Sequence, residues 1–316
     1  MRSLGYVAVF GAIAYLWCRN LYRMMEKSAM PGTVPVDSAK AWLLAARPKT
    51  LAGAAVPVLL GCALAAADGG FALLPALLSL LFAFLLQIDA NLINDLYDFL
   101  KGSDGTGRLG PRRACAEGWI SPSAMKKGIL LVTAAACLAG CGLLRYGGWE
   151  LIPVGLLCVL FAFLYTAGPY PLAYHGWGDA LVVLFFGFVP VGGTYYVLCH
   201  DWTAGVTVAA AACGLAVDTL LTVNNYRDRE QDARSGKRTL VVRLGAAAGS
   251  RLYLACGVLA ALLCLGFLFL SRPWAALLPQ LYLVPHFLTW RAMIRIGRGR
   301  ELNAVLGKTS RNILLF

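Results

Sequence analysis

Histidine is nearly missing from this chain. His175, His200 and His286 are the only three in 316 residues, and none stands in a recognisable order with a serine or cysteine nucleophile. Ser-His-acid and Cys-His catalysis are therefore set aside, and the three read as interfacial residues. Charge is sparse as well, at 14% of residues, and no stretch is long and polar enough to fold as a separate soluble domain. Of ten cysteines, Cys62, Cys137, Cys141, Cys158, Cys213, Cys256 and Cys264 lie inside apolar runs, and no CxxC occurs. That usage excludes a zinc ribbon, a dithiol redox centre and a disulfide framework, and leaves small packing residues.

What is abundant is apolar surface. Hydrophobic residues make up 59% of the chain and the mean hydropathy is +0.68, the profile of a multi-pass membrane protein. Apolar runs fall near 50–67, 72–99, 128–145, 149–167, 180–198, 203–223, 251–270 and 274–292, each about long enough to cross ~30 Å of hydrocarbon. A ninth begins near Asn303 and reads as truncated, because the sequence stops at Phe316. The fold class expected is all-α integral membrane. Upstream, Ser3–Cys18 is a run marginal for a span, without a convincing small-residue cleavage site, and a start near Met24 or Met30 fits as well. Residues 1–40 are accordingly a hydrophobic extension and linker, and 41–316 one membrane domain.

The net charge of +12 would ordinarily suggest a nucleic-acid or anionic partner. Here the basic residues concentrate in alternate loops: Lys40, Arg47 and Lys49; then Lys101, Arg108, Arg112, Arg113, Lys126 and Lys127; then Arg227, Arg229, Arg234, Lys237, Arg238 and Arg243; then Arg291, Arg295, Arg298 and Arg300. The opposite connections are nearly uncharged. This is the positive-inside pattern, which places those loops in the cytoplasm and requires no nucleic acid.

Polar side chains interrupt the second long run in QIDANLINDLYDFLKGSD, residues 87–104. At 100° per residue, Asn91, Asn94, Asp95 and Asp98 share one helical stripe. Ionisable groups are costly against lipid, so the stripe faces an interior. Its oxygen donors suit a hard cation such as Mg²⁺. The sixth core run ends in TVNNYRDREQDARSGKRTLVVRLG, where Asn224, Asp228 and Asp232 advance by fours and repeat the Asn94–Asp98 offset. A single DxxxD is as well explained by salt bridges to neighbouring arginines. Two, both preceded by asparagine and both followed by a basic loop, suit Mg²⁺ joining carboxylates to a diphosphate while Lys and Arg take the remaining oxygens. Asp89 and Asp218 lie deeper and order the interior or bind an acceptor.

NLINDLYDFLKGSD with RLGPRR, and NNYRDREQDARSGKRTLVVRLG, together with AARPKTL and GPYPLAYHGWGD, resemble the UbiA superfamily of intramembrane aromatic prenyltransferases. Within it they are most similar to the 1,4-dihydroxy-2-naphthoate polyprenyltransferases of menaquinone biosynthesis, from about Ala41 to the end. The resemblance implies a UbiA-like bundle of about nine transmembrane helices around a central cavity capped on the cytoplasmic side of the inner membrane. It implies that Asn94, Asp98, Asp228 and Asp232 hold Mg²⁺–diphosphate. The third position of the family's first motif is Gly102 here, and Asp104 is expected to supply that carboxylate. Asn91 and Asp95 would support the ligands from behind. Arg47, Lys101, Arg108, Arg112, Asn224 and Lys237 are the candidates for gripping the diphosphate. Some relatives carry a basic residue in the 4–5 turn, where Ala173 and Tyr174 stand here before His175. The substrates implied are a polyprenyl diphosphate and 1,4-dihydroxy-2-naphthoate, with demethylmenaquinol as product and membrane lipids as surroundings. Aromatics such as Phe163, Tyr165, Phe185 and Tyr195 would keep an allylic cation dry. A family member using a different aromatic or lipid acceptor is the alternative. A secondary transporter would share the helices, but its acids belong at mid-bilayer in Gly/Pro-broken segments rather than beside basic loops.

Overall fold

A backbone in hydrocarbon has no water to satisfy its N–H and C=O groups, so apolar runs of this length fold as helices. The computed structural model describes residues 34–103 and 108–316; the Ser3–Cys18 run and Asp104 lie outside them. Among the described residues every regular element is helical: α1 (Ala39–Ala46), α2 (Pro48–Ala67), α3 (Leu73–Leu100), α4 (Pro122–Gly147), α5 (Leu151–Thr166), α6 (Gly178–Cys199), α7 (Ala204–Arg234), α8 (Leu240–Cys264), the short α9 (Pro273–Leu277), α10 (Leu283–Ile296) and α11 (Leu302–Leu315). Five are long and apolar enough to cross a membrane, Leu73–Leu100, Pro122–Gly147, Gly178–Cys199, Ala204–Arg234 and Leu240–Leu268; Gly53–Ala67 and Leu151–Thr166 are shorter apolar helices.

Several runs that read as uniform spans are broken, two of them at prolines. The π-helical stretch Leu184–Gly192 contains Pro190, which has no N–H to donate. Pro279 lies in the 3₁₀ segment Leu278–Tyr282, so the expected 274–292 helix is split. The 251–270 run ends its α-helix at Cys264 and continues as the 3₁₀ turn Leu265–Leu268, while Gly245, upstream of that run, kinks α8 at φ 85°, ψ 168°, a conformation that favours glycine. In the other direction α7 runs well past its apolar stretch, to Arg234, and so the whole second acidic motif is helical.

The chain partitions into two compact units. One comprises the described residues up to Gly105 with Arg112–Gly168 and Thr194–His200. One of its core clusters sets Leu92, Ile93 and Leu96 of α3 with Met125 and Ile129 of α4 and with Ala114, Cys115 and Ile120 of the connection between them. The acidic end of α3 is therefore fixed by packing on both flanks.

The other unit comprises the described residues of Thr106–Pro111, with Pro169–Gly193 and Asp201–Phe316. There α6 and α7 touch backbone to backbone: a Cβ on Gly214 would lie 2.7 Å from the Val183 carbonyl oxygen, and one on Gly187 2.4 Å from that of Ala210. Small residues permit this approach, and it drives association where lipid offers no hydrophobic gain. Val223, Tyr226, Val241, Tyr253, Met293, Leu302 and Val305 form the core joining α7, α8, α10 and α11. His286, expected at an interface, is instead fully buried. Its ring stacks between those of Tyr253 and Tyr282, at centroid distances of 4.8 and 5.1 Å. Gly257 leaves the room for it, since a Cβ there would lie 2.2 Å from Nε2.

Candidate active site

The polar stripe of α3 divides its labour. Asn91 donates from Nδ2 to the Ala46 carbonyl and to Thr50 Oγ1, both at 2.9 Å, tying α3 to the joint between α1 and α2. Arg47 forms that joint at φ 51°, and its guanidinium lies 3.9 Å from Asp95. Asp95, buried, accepts from the backbone N–H groups of Ala114 and Cys115, each at 2.9 Å. Both side chains are thus spent on neighbouring backbone and hydroxyl groups. Asn94 and Asp98 remain: Asn94 Oδ1 accepts from Thr166 Oγ1, and Asp98 lies 3.2 Å from Arg113 Nη2.

Arg113 is the first residue the sequence misplaces. Among the loop cations it looks like one more solvated charge, yet it is buried beside an equally buried Asp98. Lys101 reaches the Thr166 carbonyl; desolvation lowers its pKa below the ordinary lysine value, and the Asp98 carboxylate opposes that shift. Arg112 is 73% exposed and turned 3.5 Å from Glu117, and Arg108 Nε donates to the Pro111 carbonyl at 2.9 Å.

The second motif lies on the last three turns of α7. Asp228 and Asp232 are both buried. Arg227 is the second residue the sequence misplaces: 2% exposed, it donates from Nε to Asp228 Oδ1 at 2.7 Å and from Nη2 to Oδ2. Nη2 also donates to Asn224 Oδ1 at 2.7 Å, and Nη1 to Asn303 Oδ1 at 2.8 Å. A basic residue at a helix end reads alike whether it meets water or a carboxylate, so no sequence signal marks it. Lys237 stands 3.9 Å from Asp232 and 5.7 Å above the Tyr174 ring.

The Ala173–His175 turn carries no cation of its own but is held by those that follow α7. The Arg238 N–H donates to the Tyr174 carbonyl at 2.9 Å, and Arg243 Nη2 to that of His175 at 2.9 Å. His175 itself stacks on Tyr170, with centroids 3.6 Å apart. Tyr195, considered as a cavity aromatic, spends its hydroxyl on Asp68 at 2.8 Å, beyond the end of α2 remote from the motif. The deeper acids tie helices together: Asp89 accepts from Thr133 Oγ1 of α4 at 2.7 Å, and Asp218 from Cys256 Sγ of α8 at 3.5 Å.

No group of three His, Cys, Asp or Glu side chains poised around a metal ion occurs among the described residues. Each motif instead pairs amide oxygens with carboxylates compensated by Arg or Lys. Such a donor set, oxygen without thiolate or imidazole, fits a hard divalent cation and misfits zinc or copper.

Residues 54–306 match the profile of the UbiA prenyltransferase family. The chain is 39% identical over 236 residues to the 1,4-dihydroxy-2-naphthoate octaprenyltransferase of Escherichia coli, covering 73% of this chain and 76% of that one. To the enzyme of the same name from Mycobacterium tuberculosis it is 38% identical over 279 residues, covering 87% and 93%. A solved UbiA homolog from Archaeoglobus fulgidus bound to GPP and Mg²⁺ shares the fold, at a TM-score of 0.65 and 16% identity over 87% of this chain and 96% of that one.

Proposed function

The chain belongs to the UbiA prenyltransferase family, and from that premise we propose that it transfers a polyprenyl group from polyprenyl diphosphate to 1,4-dihydroxy-2-naphthoate, releasing diphosphate and CO₂ and giving demethylmenaquinol. The observation carrying this is the pair of amide–carboxylate motifs, Asn94/Asp98 and Asn224/Asp228/Asp232, whose carboxylates are buried and whose amides are half-buried, in a chain with relatives named for that acceptor. Bound Mg²⁺ would neutralise the diphosphate as a Lewis acid.

Asn94 and Asp98 of one motif, and Asp228 and Asp232 of the other, would be the residues to offer it oxygens, with Asn224 a candidate for the diphosphate. Arg47, Lys101, Arg108, Arg112 and Lys237 are the cations available to charge that grows on the leaving group. The allylic C–O bond breaks with its electron pair going to diphosphate. The electron-rich ring then forms a C–C bond at its carboxyl-bearing carbon, and the carboxylate leaves as CO₂, returning its bonding pair to the ring. The apolar helices keep water from the cation during this interval. The positive-inside distribution of the basic loops supports a reacting end at the cytoplasmic face of the inner membrane, with the polyprenyl tail among the lipids. Purified protein given one polyprenyl diphosphate, Mg²⁺ and a panel of aromatic acids tests the reading. Prenylation with CO₂ release for the dihydroxynaphthoate alone is expected, and transfer to another acceptor in its place refutes the assignment.

A further inference from the structure

Asn303, at the start of α11, has no place in either motif. Yet its side chain accepts from Arg227 Nη1 at 2.8 Å and donates from Nδ2 to the Leu109 carbonyl at 3.0 Å. Arg227 in turn commits four hydrogen bonds, two to Asp228 and one each to Asn224 and Asn303. The packing is tight on the loop side as well, because a Cβ on Gly110 would lie 2.7 Å from Arg227 Nη2. Three segments distant in sequence, the 108–111 loop, the α7 motif and the head of α11, therefore converge on one buried guanidinium.

We infer that Arg227 and Asn303 form a latch: Arg227 is a positioning residue that fixes the Asp228 carboxylate and the Asn224 amide oxygen, while Asn303 carries that restraint to the loop bearing Arg108. The inference rests on the proposed function, since it assigns the arrangement of that same diphosphate site. Arginine suits the task because its planar fork holds both oxygens of a carboxylate and still has N–H groups for two amide oxygens. A carboxylate oxygen that accepts one hydrogen bond retains a lone pair, so Asp228 stays able to meet a cation while its plane is held. Lysine would keep the charge and lose the fork.

The test is binding of Mg²⁺ with inorganic diphosphate to the full chain in detergent by titration calorimetry, alongside prenyl-transfer kinetics. Arg227→Lys is expected to weaken diphosphate binding, and to raise KM for polyprenyl diphosphate, by roughly 10–100-fold, the usual effect of removing a residue that orients a metal ligand. kcat should fall less. Asn303→Leu, which cuts both arms of the latch, should raise the same KM. Asn303→Asp keeps an acceptor for Arg227 and loses the donor to Leu109, so its KM should lie between. Equal diphosphate binding by wild type, Arg227→Lys and Asn303→Leu overturns the latch. So does a loss of kcat in step with the folded fraction at unchanged KM. A wild type that binds diphosphate more tightly than Arg227→Lys, yet prenylates no naphthoate, supports the latch and refutes only the acceptor assignment.

Discussion

Replacing Asp95 by asparagine changes one atom and tests how the connection after α3 is held. The Asp95 side chain is 1% exposed, and its two oxygens accept from the backbone N–H groups of Ala114 and Cys115 at 2.9 Å each. Asparagine offers one acceptor, and its NH₂ then faces the other N–H. One hydrogen bond to a charged acceptor is lost and a buried donor left unsatisfied, about 2–3 kcal/mol. The nearby Arg47, 3.9 Å from Asp95, would also lose the facing charge. Because Arg113 immediately precedes the pinned residues and pairs with Asp98, loosening this backbone should also disturb Asp98. The expected outcome is a thermal unfolding midpoint in detergent lowered by several degrees, with KM for the diphosphate substrate raised. A variant matching wild type in both measurements would refute the idea that Asp95 holds the loop.

Asp98→Ala or Asp228→Ala should abolish prenyl transfer while the protein stays folded in detergent, measured as product formed and as a monodisperse elution profile. Chelating divalent cations should stop transfer and added Mg²⁺ restore it, read by product formation with the same preparation. Gly214→Ala places a Cβ 2.7 Å from the Val183 carbonyl oxygen and should lower the unfolding midpoint. Gly155→Ala in α5 meets nothing within 4 Å and should leave it equal or higher, since alanine favours a helix by about 1 kcal/mol.

Helix content was legible because the solvent dictates it: runs such as 72–99 and 203–223 allow no other backbone-satisfied form in lipid. The interruptions were less legible, although the causes of two are visible afterwards in Pro190 and Pro279. A proline within an apolar run is tolerated in many membrane helices, and its local outcome depends on the neighbours that re-satisfy the freed carbonyls. Asn94, Asp98, Asp228 and Asp232 stood out because donors at four-residue spacing beside basic loops are rare in an apolar chain. Spacing alone did not separate Asn91 and Asp95 from Asn94 within one stripe, since it gives the face of a helix and not what packs against it; that distinction came from the family resemblance, and their partners only from the fold.

The sequence alone determined that this chain is helical, crosses a membrane and carries two amide–carboxylate motifs at like spacing, because hydropathy and periodicity are properties of a chain and its solvent. Only the tertiary structure decided which cations belong to which acids. Arg113 and Arg227 differ from their neighbours Arg112 and Arg229 in nothing the sequence records; Arg113 became a buried counter-ion of Asp98, and Arg227 one of Asp228 as the 108–111 loop and the head of α11 close on it.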